Sequence, residues 1–142
     1  MNNLIEELRD YFSRKESIDL ALLFGSQARL TASEGSDIDI GVLFKSPPHI
    51  FDVGLLIEEL ESSFNRKVDF VDLQGLEWSD PFFAYRIACE AIVLRDGNPG
   101  IFADFKTRAF LSYFDMKDFL EKARSDLDTR LDRDDFGRPI HA

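Results

Sequence analysis

The segment "DIDIGVLF", residues 37–44, constrains the fold most strongly, because its apolar and polar residues alternate one by one. Alternation with a period of two is the pattern of a β-strand with two unlike faces. One face carries Ile38, Ile40, Val42 and Phe44, and the other carries Asp37, Asp39 and Gly41. The apolar face has to be covered by another layer, so the pattern predicts a strand in a sheet that packs against helices.

Strand and helix patterns interleave along the rest of the chain. Helical periodicity covers residues 4–12, 53–64, 80–91 and 99–131, and strand patterns cover residues 17–24, 67–73 and 91–97. Residues 20–24 are apolar on both faces, which is typical of a central strand. The chain is thus predicted to have an α/β (α+β) fold, with a mixed four-stranded sheet, packing helices and a long C-terminal helix. We expect one domain over residues 1–142, whose tail frays from about residue 125.

The composition limits the classes of function. The net charge of −10 repels phosphate backbones, so we expect no direct nucleic-acid binding. No apolar run suggests a membrane span and the N-terminus does not resemble a signal peptide, so we expect a cytoplasmic protein. The single Cys89 lies in an apolar stretch and is predicted to be a buried structural thiol. His49 and His141 are far apart in the sequence and have no cysteine partners, so we expect no zinc site.

Asp37 and Asp39 form the first candidate site. Residues two apart on a strand point to the same side, about 6.8 Å from each other. Two such carboxylates repel each other, and no basic residue lies in their strand to neutralise them. A divalent cation can do so, and Mg²⁺ commonly binds one or two carboxylates together with substrate phosphates. A pair of this kind on its own is more often a solvated surface feature.

Gly25 and Ser26 form the second candidate site. They lie between a predicted strand and a predicted short helix, where backbone N–H groups can face a phosphate and glycine allows close approach. An isolated Gly-Ser is usually only a turn, but a phosphate-binding turn beside a carboxylate pair suits transfer from a nucleoside triphosphate. Arg29 lies about one helical turn after Ser26. It could reach a phosphate or simply cover the surface.

These residues together carry a family resemblance. The pattern Gly25-Ser26-x10-Asp37-x-Asp39 resembles the signature of the polymerase-β-like nucleotidyltransferase superfamily. The short chain and "GSQAR" resemble its minimal nucleotidyltransferase (MNT) branch. "KVDFVDL" is similar to the branch's third-carboxylate strand, and "FKTRAFLSYFDMKDFL" to its C-terminal helix. The chain departs from many members at Leu30, where they have glycine.

The resemblance implies two metal ions, Mg²⁺ or alternatively Mn²⁺, bound by the strand aspartates, with ATP as substrate. It also implies a third carboxylate on a neighbouring strand, for which Asp69 and Asp72 are candidates on opposite faces. Val68 and Phe70 look like core residues, which places Asp69 on the face of Asp37 and Asp39. We therefore favour Asp69 as catalytic and metal-binding, and interpret Asp72 as a turn residue at the strand end.

The MNT branch resembles antitoxins that pair with HEPN-family ribonuclease toxins. The resemblance therefore implies an enzyme that transfers AMP from ATP to a tyrosine of a HEPN toxin, in a hetero-oligomer. The alternatives are nucleotidyl transfer to a small hydroxylated molecule such as an aminoglycoside, and an antitoxin that acts by binding alone.

The C-terminal helix offers a possible contact surface for such a partner. Two apolar stripes run along it, one formed by Phe102, Phe105, Ala109, Met116, Leu120 and Ala123 and the other by Phe110 and Phe114. A helix that is apolar over more than one face usually has two neighbours. The stripes fit either core packing or docking of another protein.

Overall fold

The computed structural model describes residues 3–29 and 35–132, and its centre is a four-stranded mixed sheet. The strands are β1 (Ile18–Phe24), β2 (Ile38–Phe44), β3 (Val68–Asp72) and β4 (Ile92–Asp96), in the order β3-β2-β1-β4. β1 is antiparallel to β2 and β4, whereas β2 and β3 are parallel. The predicted mixed sheet is confirmed, with β1 as a central strand.

Six helices accompany the sheet in the described part of the chain. They are α1 (Asn3–Ser13), α2 (Gly25–Ala28), α3 (Ile50–Phe64), α4 (Leu76–Ser79), α5 (Pro81–Glu90) and α6 (Ile101–Asp132). The sequence periodicity predicted α1, α3, α5 and α6 but not α4. The short helix expected at "QARL", after Gly25-Ser26, instead begins at Gly25 itself. None of these helices, α6 included, is long and apolar enough to cross a membrane.

Two apolar layers enclose the sheet. Below it, α1 and α3 pack on the face that carries Ile38, Ile40 and Val42. Above it, α5 and α6 pack on Leu20, Leu22 and Phe24 of β1, among other residues. β1 is buried on both faces because its side chains alternate between the two layers, as its apolar sequence predicts. The apolar side of β2 faces the lower layer, so its polar side faces the α5 side of the sheet.

Local sequence signals fix the helix boundaries. His49 begins α3 by accepting a hydrogen bond from the N–H of Phe51, and Asn65 ends that helix in the left-handed conformation. Asp80 caps α5 by accepting from the N–H of Phe83, and Pro81 occupies the first turn. Helix α3 is the crossover connection that two parallel strands, here β2 and β3, require.

The prediction for Cys89 is wrong, because its side chain is exposed. The buried residues of α5 are Ala84, Ile87 and Ala88, which share one face of the helix. Successive helical residues are rotated by about 100° relative to each other, so the position after Ala88 leaves the buried face. An apolar sequence neighbourhood indicated burial here, but the helix turned this one residue outward.

The long helix α6 belongs to the core only in its first half. Phe105, Ala109 and Ser112 are buried, whereas Leu120 and every other residue from 117 to 132 are exposed. The two apolar stripes are therefore core at their beginning and surface at their end. α6 continues through Asp132; residues 133–142 of the tail, and Leu30, lie outside the described residues.

We expect Leu60→Ala to lower the free energy of unfolding by about 2–5 kcal/mol, because Leu60 is fully buried in the layer below the sheet. Leu55→Ala on the same helix is the matched control, since that side chain is 56% exposed. Its effect should stay within about 0.5 kcal/mol. Urea unfolding followed by circular dichroism measures both values. Equal losses for the two variants would contradict the described orientation of α3.

Candidate active site

The sheet brings Asp39 and Asp69 side by side. In the parallel ladder of β2 and β3, Asp39 is paired with Asp69, just as Ile38 is paired with Val68. Neighbouring parallel strands are about 4.8 Å apart, and paired residues point to the same face. Asp37 immediately precedes β2 and follows the same alternation. The sequence-predicted placement of Asp69 on the face of Asp39 is thus what the structure shows.

Asp72 takes a different position. It ends β3, and its Oδ1 accepts a hydrogen bond from the N–H of Gln74 at 3.0 Å. In the ladder it is paired with Val42, whose side chain faces the lower apolar layer. Asp72 is therefore a turn residue at the strand end, as its spacing indicated, and lies apart from the other carboxylates.

The turn at Gly25 lies directly against Asp39. Phe24, the last residue of β1, is paired with Asp39, and Gly25 follows with a φ of +73°. A Cβ atom at Gly25 would overlap Oδ2 of Asp39. Glycine is required here for both its conformation and its lack of a side chain. The structure thus joins the two halves of the sequence motif at one point, with half-buried Ser26 as the next residue.

Arg29 and Gln27 brace this turn on two sides. The guanidinium of Arg29 donates to Oε2 of Glu90 at 2.9 Å, and the N–H of Gly25 donates to Oε1 of the same carboxylate at 2.9 Å. Gln27 donates its side-chain N–H to the backbone oxygen of Ser36 at 3.3 Å, close to Asp37. Of the two roles open for Arg29, the structure shows a side chain engaged in an ion pair beside the site.

Sequence reasoning did not identify Glu90. Its only signal is its place in the last turn of α5, where a negative charge is unfavourable next to the helix C-terminus. A carboxylate in such a place indicates a partner that offsets this unfavourable charge, and here that partner is α2. No sequence pattern identifies α2 as the partner, because Glu90 and Gly25 are 65 positions apart.

Asp39 has a strongly perturbed acidity. Burial, a hydrogen bond with Asp69 and the charges of Asp69 and Asp37 raise its pKa to about 6, although the charge of Arg29 opposes this. Asp37 and Asp69 are more exposed than Asp39. The site therefore concentrates negative charge around one half-buried carboxyl group, which favours either a proton or a cation there.

The donor set fits a divalent metal ion whose coordination other ligands complete. The three carboxylates offer oxygen ligands of the kind Mg²⁺ prefers. Lys67 approaches Asp69, but its Nζ is 3.9 Å from Oδ1 and both side chains are well exposed. Among the described residues, no three or more His, Cys, Asp or Glu side chains are already arranged as a metal site. Substrate phosphates are the natural source of further ligands.

The acidity of Asp39 leads to a prediction about pH and stability. An ordinary aspartate has a pKa of 3.8, whereas Asp39 in the folded protein has a pKa of about 6. Between these two pH values, the folded state therefore binds the proton of Asp39 more tightly than the unfolded state does. The free energy of unfolding therefore falls as the pH rises through this window. Asp39→Asn removes the charge, so it should raise the melting temperature by a few degrees near about pH 8 and change it little near about pH 4.

Thermal unfolding across this pH range tests the prediction. Asp118→Asn on the exposed part of α6 is a suitable control, because that carboxylate pairs with Lys122 instead of facing other carboxylates. Asp118→Asn should not raise the melting temperature at high pH. Equal melting temperatures for wild type and Asp39→Asn near about pH 8 would contradict the charge crowding at this site.

Solved structures share this fold. A chain of a toxin–antitoxin complex with AMP-PNP is 22% identical, with a TM-score of 0.68, over 86% of this chain and 97% of that chain. The structure of a tri-AMPylated Shewanella oneidensis HEPN toxin in complex with MNT antitoxin contains a chain that is 22% identical, with a TM-score of 0.65, over 89% of this chain and 98% of that chain. A chain of the MntA-HepT toxin-antitoxin is 23% identical, with a TM-score of 0.60, over 89% of this chain and 94% of that chain. These likenesses confirm the predicted fold.

The sequence itself is matched at the level of the family. None of the curated proteins matches this chain. The family model described as polymerase beta, nucleotidyltransferase matches residues 6–99, which include β1, β2, β3 and the candidate site between them. Both motif halves, Gly25-Ser26 and Asp37-x-Asp39, lie inside the matched range. The chain belongs to the polymerase β nucleotidyltransferase family.

Proposed function

We propose that this protein transfers AMP from ATP to a tyrosine hydroxyl of a partner HEPN ribonuclease toxin in a Mg²⁺-dependent reaction, and thereby acts as its antitoxin. The observation that carries the proposal is the in-register pairing of Asp39 with Asp69 beside the Gly25 turn. Family membership supplies the reaction class. The fold shared with chains of toxin–antitoxin complexes, one with AMP-PNP and one with a tri-AMPylated toxin, supports the substrate and the acceptor.

Each residue of the site has a distinct task in this proposal. Asp37, Asp39 and Asp69 would hold Mg²⁺, which neutralises the phosphate charge and polarises the reacting oxygens when bound. Gly25 and Ser26 contact the triphosphate, because Gly25 permits close backbone approach and Ser26 adds a hydroxyl. Arg29 contributes positive charge next to the carboxylates. Because the pKa of Asp39 is raised to about 6, a bound cation would displace a proton from this carboxyl group only at acidic pH.

Asp69 is suited to accept the proton of the attacking hydroxyl. It lies beside Asp39 on β3 but is more exposed, so an acceptor can reach it from solvent. A general base has to come within hydrogen-bonding distance of the hydroxyl, and β3 is an edge strand of the sheet. A tyrosine on a partner's surface can approach an edge more easily than the centre of a sheet.

The exposed side chains of α6 from Phe114 onward form the docking surface that we propose for the partner. Phe114, Phe119 and Leu120 are 53%, 65% and 47% exposed. Tyr85 and Tyr113 stack with ring centroids 3.8 Å apart, and both rings contact Phe114. Aromatic residues on a rigid helix are typical anchors of protein interfaces. An acceptor bound here would obtain its specificity from contacts with α6.

We expect Asp69→Asn to leave ATP binding largely intact and to lower turnover by about 10²–10⁴-fold, the range for a positioned general base. Asp72→Asn is the matched control on the same strand, because its side chain caps a turn and lies on the other face. Its turnover should be close to that of wild type. Single-turnover measurement of AMP incorporation into the toxin, with calorimetry of AMP-PNP binding, gives both quantities. The reverse ranking would refute the role of Asp69.

A titration distinguishes catalysis from neutralisation by binding alone. An enzyme should silence the ribonuclease at substoichiometric amounts when ATP and Mg²⁺ are present, whereas a binding antitoxin needs at least equimolar amounts. Asp37→Ala combined with Asp39→Ala should lose the substoichiometric effect while keeping α6 intact. RNA cleavage is the readout, and intact mass should show the toxin gaining multiples of an AMP mass. Equal protection by wild type and the double variant at every ratio would establish the binding antitoxin instead.

A further inference from the structure

One carboxylate binds both ends of the short helix α2. Oε1 of Glu90 accepts the N–H of Gly25, the first residue of α2, and Oε2 accepts from Nη1 of Arg29, the residue that follows α2. Both distances are 2.9 Å. The N–H of Arg29 also donates to the oxygen of Gly25 at 3.1 Å. Glu90 thus fixes the start and the end of the segment that carries Gly25 and Ser26.

The position of Glu90 is unfavourable for a carboxylate in every other respect. It is the last residue of α5, next to the negative end of the helix dipole. Its side chain is only 15% exposed, so the charge has lost most of its water. Ile87 and Ala88, on the same last turn, make the apolar contacts with the core. The contacts with α2 are therefore what favours a carboxylate here.

The segment that Glu90 fixes lies against the reactive carboxylates. Gly25 touches Asp39 so closely that a Cβ atom could not be added, and the charge of Arg29 lowers the pKa of Asp39 against the other influences. A shift of α2 would displace the turn and the guanidinium relative to Asp39 at the same time. Glu90 controls both, since it is hydrogen-bonded to both.

We infer that Glu90 is a positioning residue of the nucleotide site, which holds the Gly25-Ser26 turn and Arg29 ready for the triphosphate. This inference rests on the proposed function. Without Glu90, α2 has to become ordered when the nucleotide binds. The free-energy cost of that ordering makes nucleotide binding weaker. Glu90 touches no reacting atom in this role, so its loss should weaken nucleotide binding more than it slows the chemical step.

Calorimetry of AMP-PNP binding to the full chain with Mg²⁺ tests the inference. Glu90→Ala should weaken binding by about tenfold or more, the effect of losing a hydrogen bond to a charged group. Glu90→Gln keeps an acceptor for the N–H of Gly25 but loses the charge opposite Arg29, so its effect should be intermediate. The double variant Glu90→Ala, Arg29→Ala should lose less binding free energy than the sum of the two single losses, because both single variants remove the same Arg29–Glu90 ion pair.

Glu59→Ala is the matched control. Glu59 on α3 also binds two donors with one carboxylate, the hydroxyl of Tyr11 at 2.6 Å and Nζ of Lys15 at 3.1 Å, but it lies on the other side of the sheet. Glu59→Ala should lower the melting temperature at least as much as Glu90→Ala and leave AMP-PNP affinity within about twofold of wild type. In steady-state AMP transfer, Glu90→Ala should raise the KM for ATP while kcat stays within about threefold.

Each other outcome overturns the inference. If Glu90→Ala binds AMP-PNP as wild type does, Glu90 is merely structural, and the proposed function stands. If Glu90→Ala binds more tightly, Glu90 competes with the phosphates instead of preparing their site. If the losses of binding free energy in Glu90→Ala and Arg29→Ala are additive in the double variant, the two residues act independently. If wild type itself binds no AMP-PNP, the proposed function fails, and the positioning role fails with it.

Discussion

Repulsion between carboxylates on adjacent strands is the constraint on which the site depends. Asp39 and Asp69 are direct neighbours in the parallel ladder, and Asp37 adds a third negative charge. The strands hold this arrangement because their opposite face is apolar: Ile38 and Val68 are paired in the same ladder and buried in the lower layer. The hydrophobic core thereby offsets the electrostatic cost of a charge cluster that a cation can relieve.

The upper layer shapes the surroundings of this cluster. Gly25 ends β1 with a turn that only glycine can make against Asp39, and α2 then carries Arg29 back towards the carboxylates. Glu90 connects the turn to α5, so the packing of α5 on β1 also determines where the turn lies. The site is thus assembled from the sheet and from the two helices α2 and α5.

The sequence by itself determined most of the fold and the chemical identity of the site. Alternation along residues 37–44 assigned the faces of β2, and an apolar run on both faces made β1 central. The same reasoning, applied to Val68 and Phe70, separated Asp69 from Asp72. These predictions succeeded because the direction of a side chain on a strand follows from local geometry. In addition, burying the apolar face of a strand allows only one register of pairing with its neighbour.

Only the tertiary structure decided the contacts between distant segments. It paired Asp39 with Asp69 in register, placed Glu90 against Gly25, and exposed Cys89, which the apolar sequence around it suggested was buried. It also divided α6 into a buried first half and an exposed second half, where the sequence shows continuous apolar stripes. Periodicity reveals which residues share a face, but which face is covered depends on elements that are far apart in the chain.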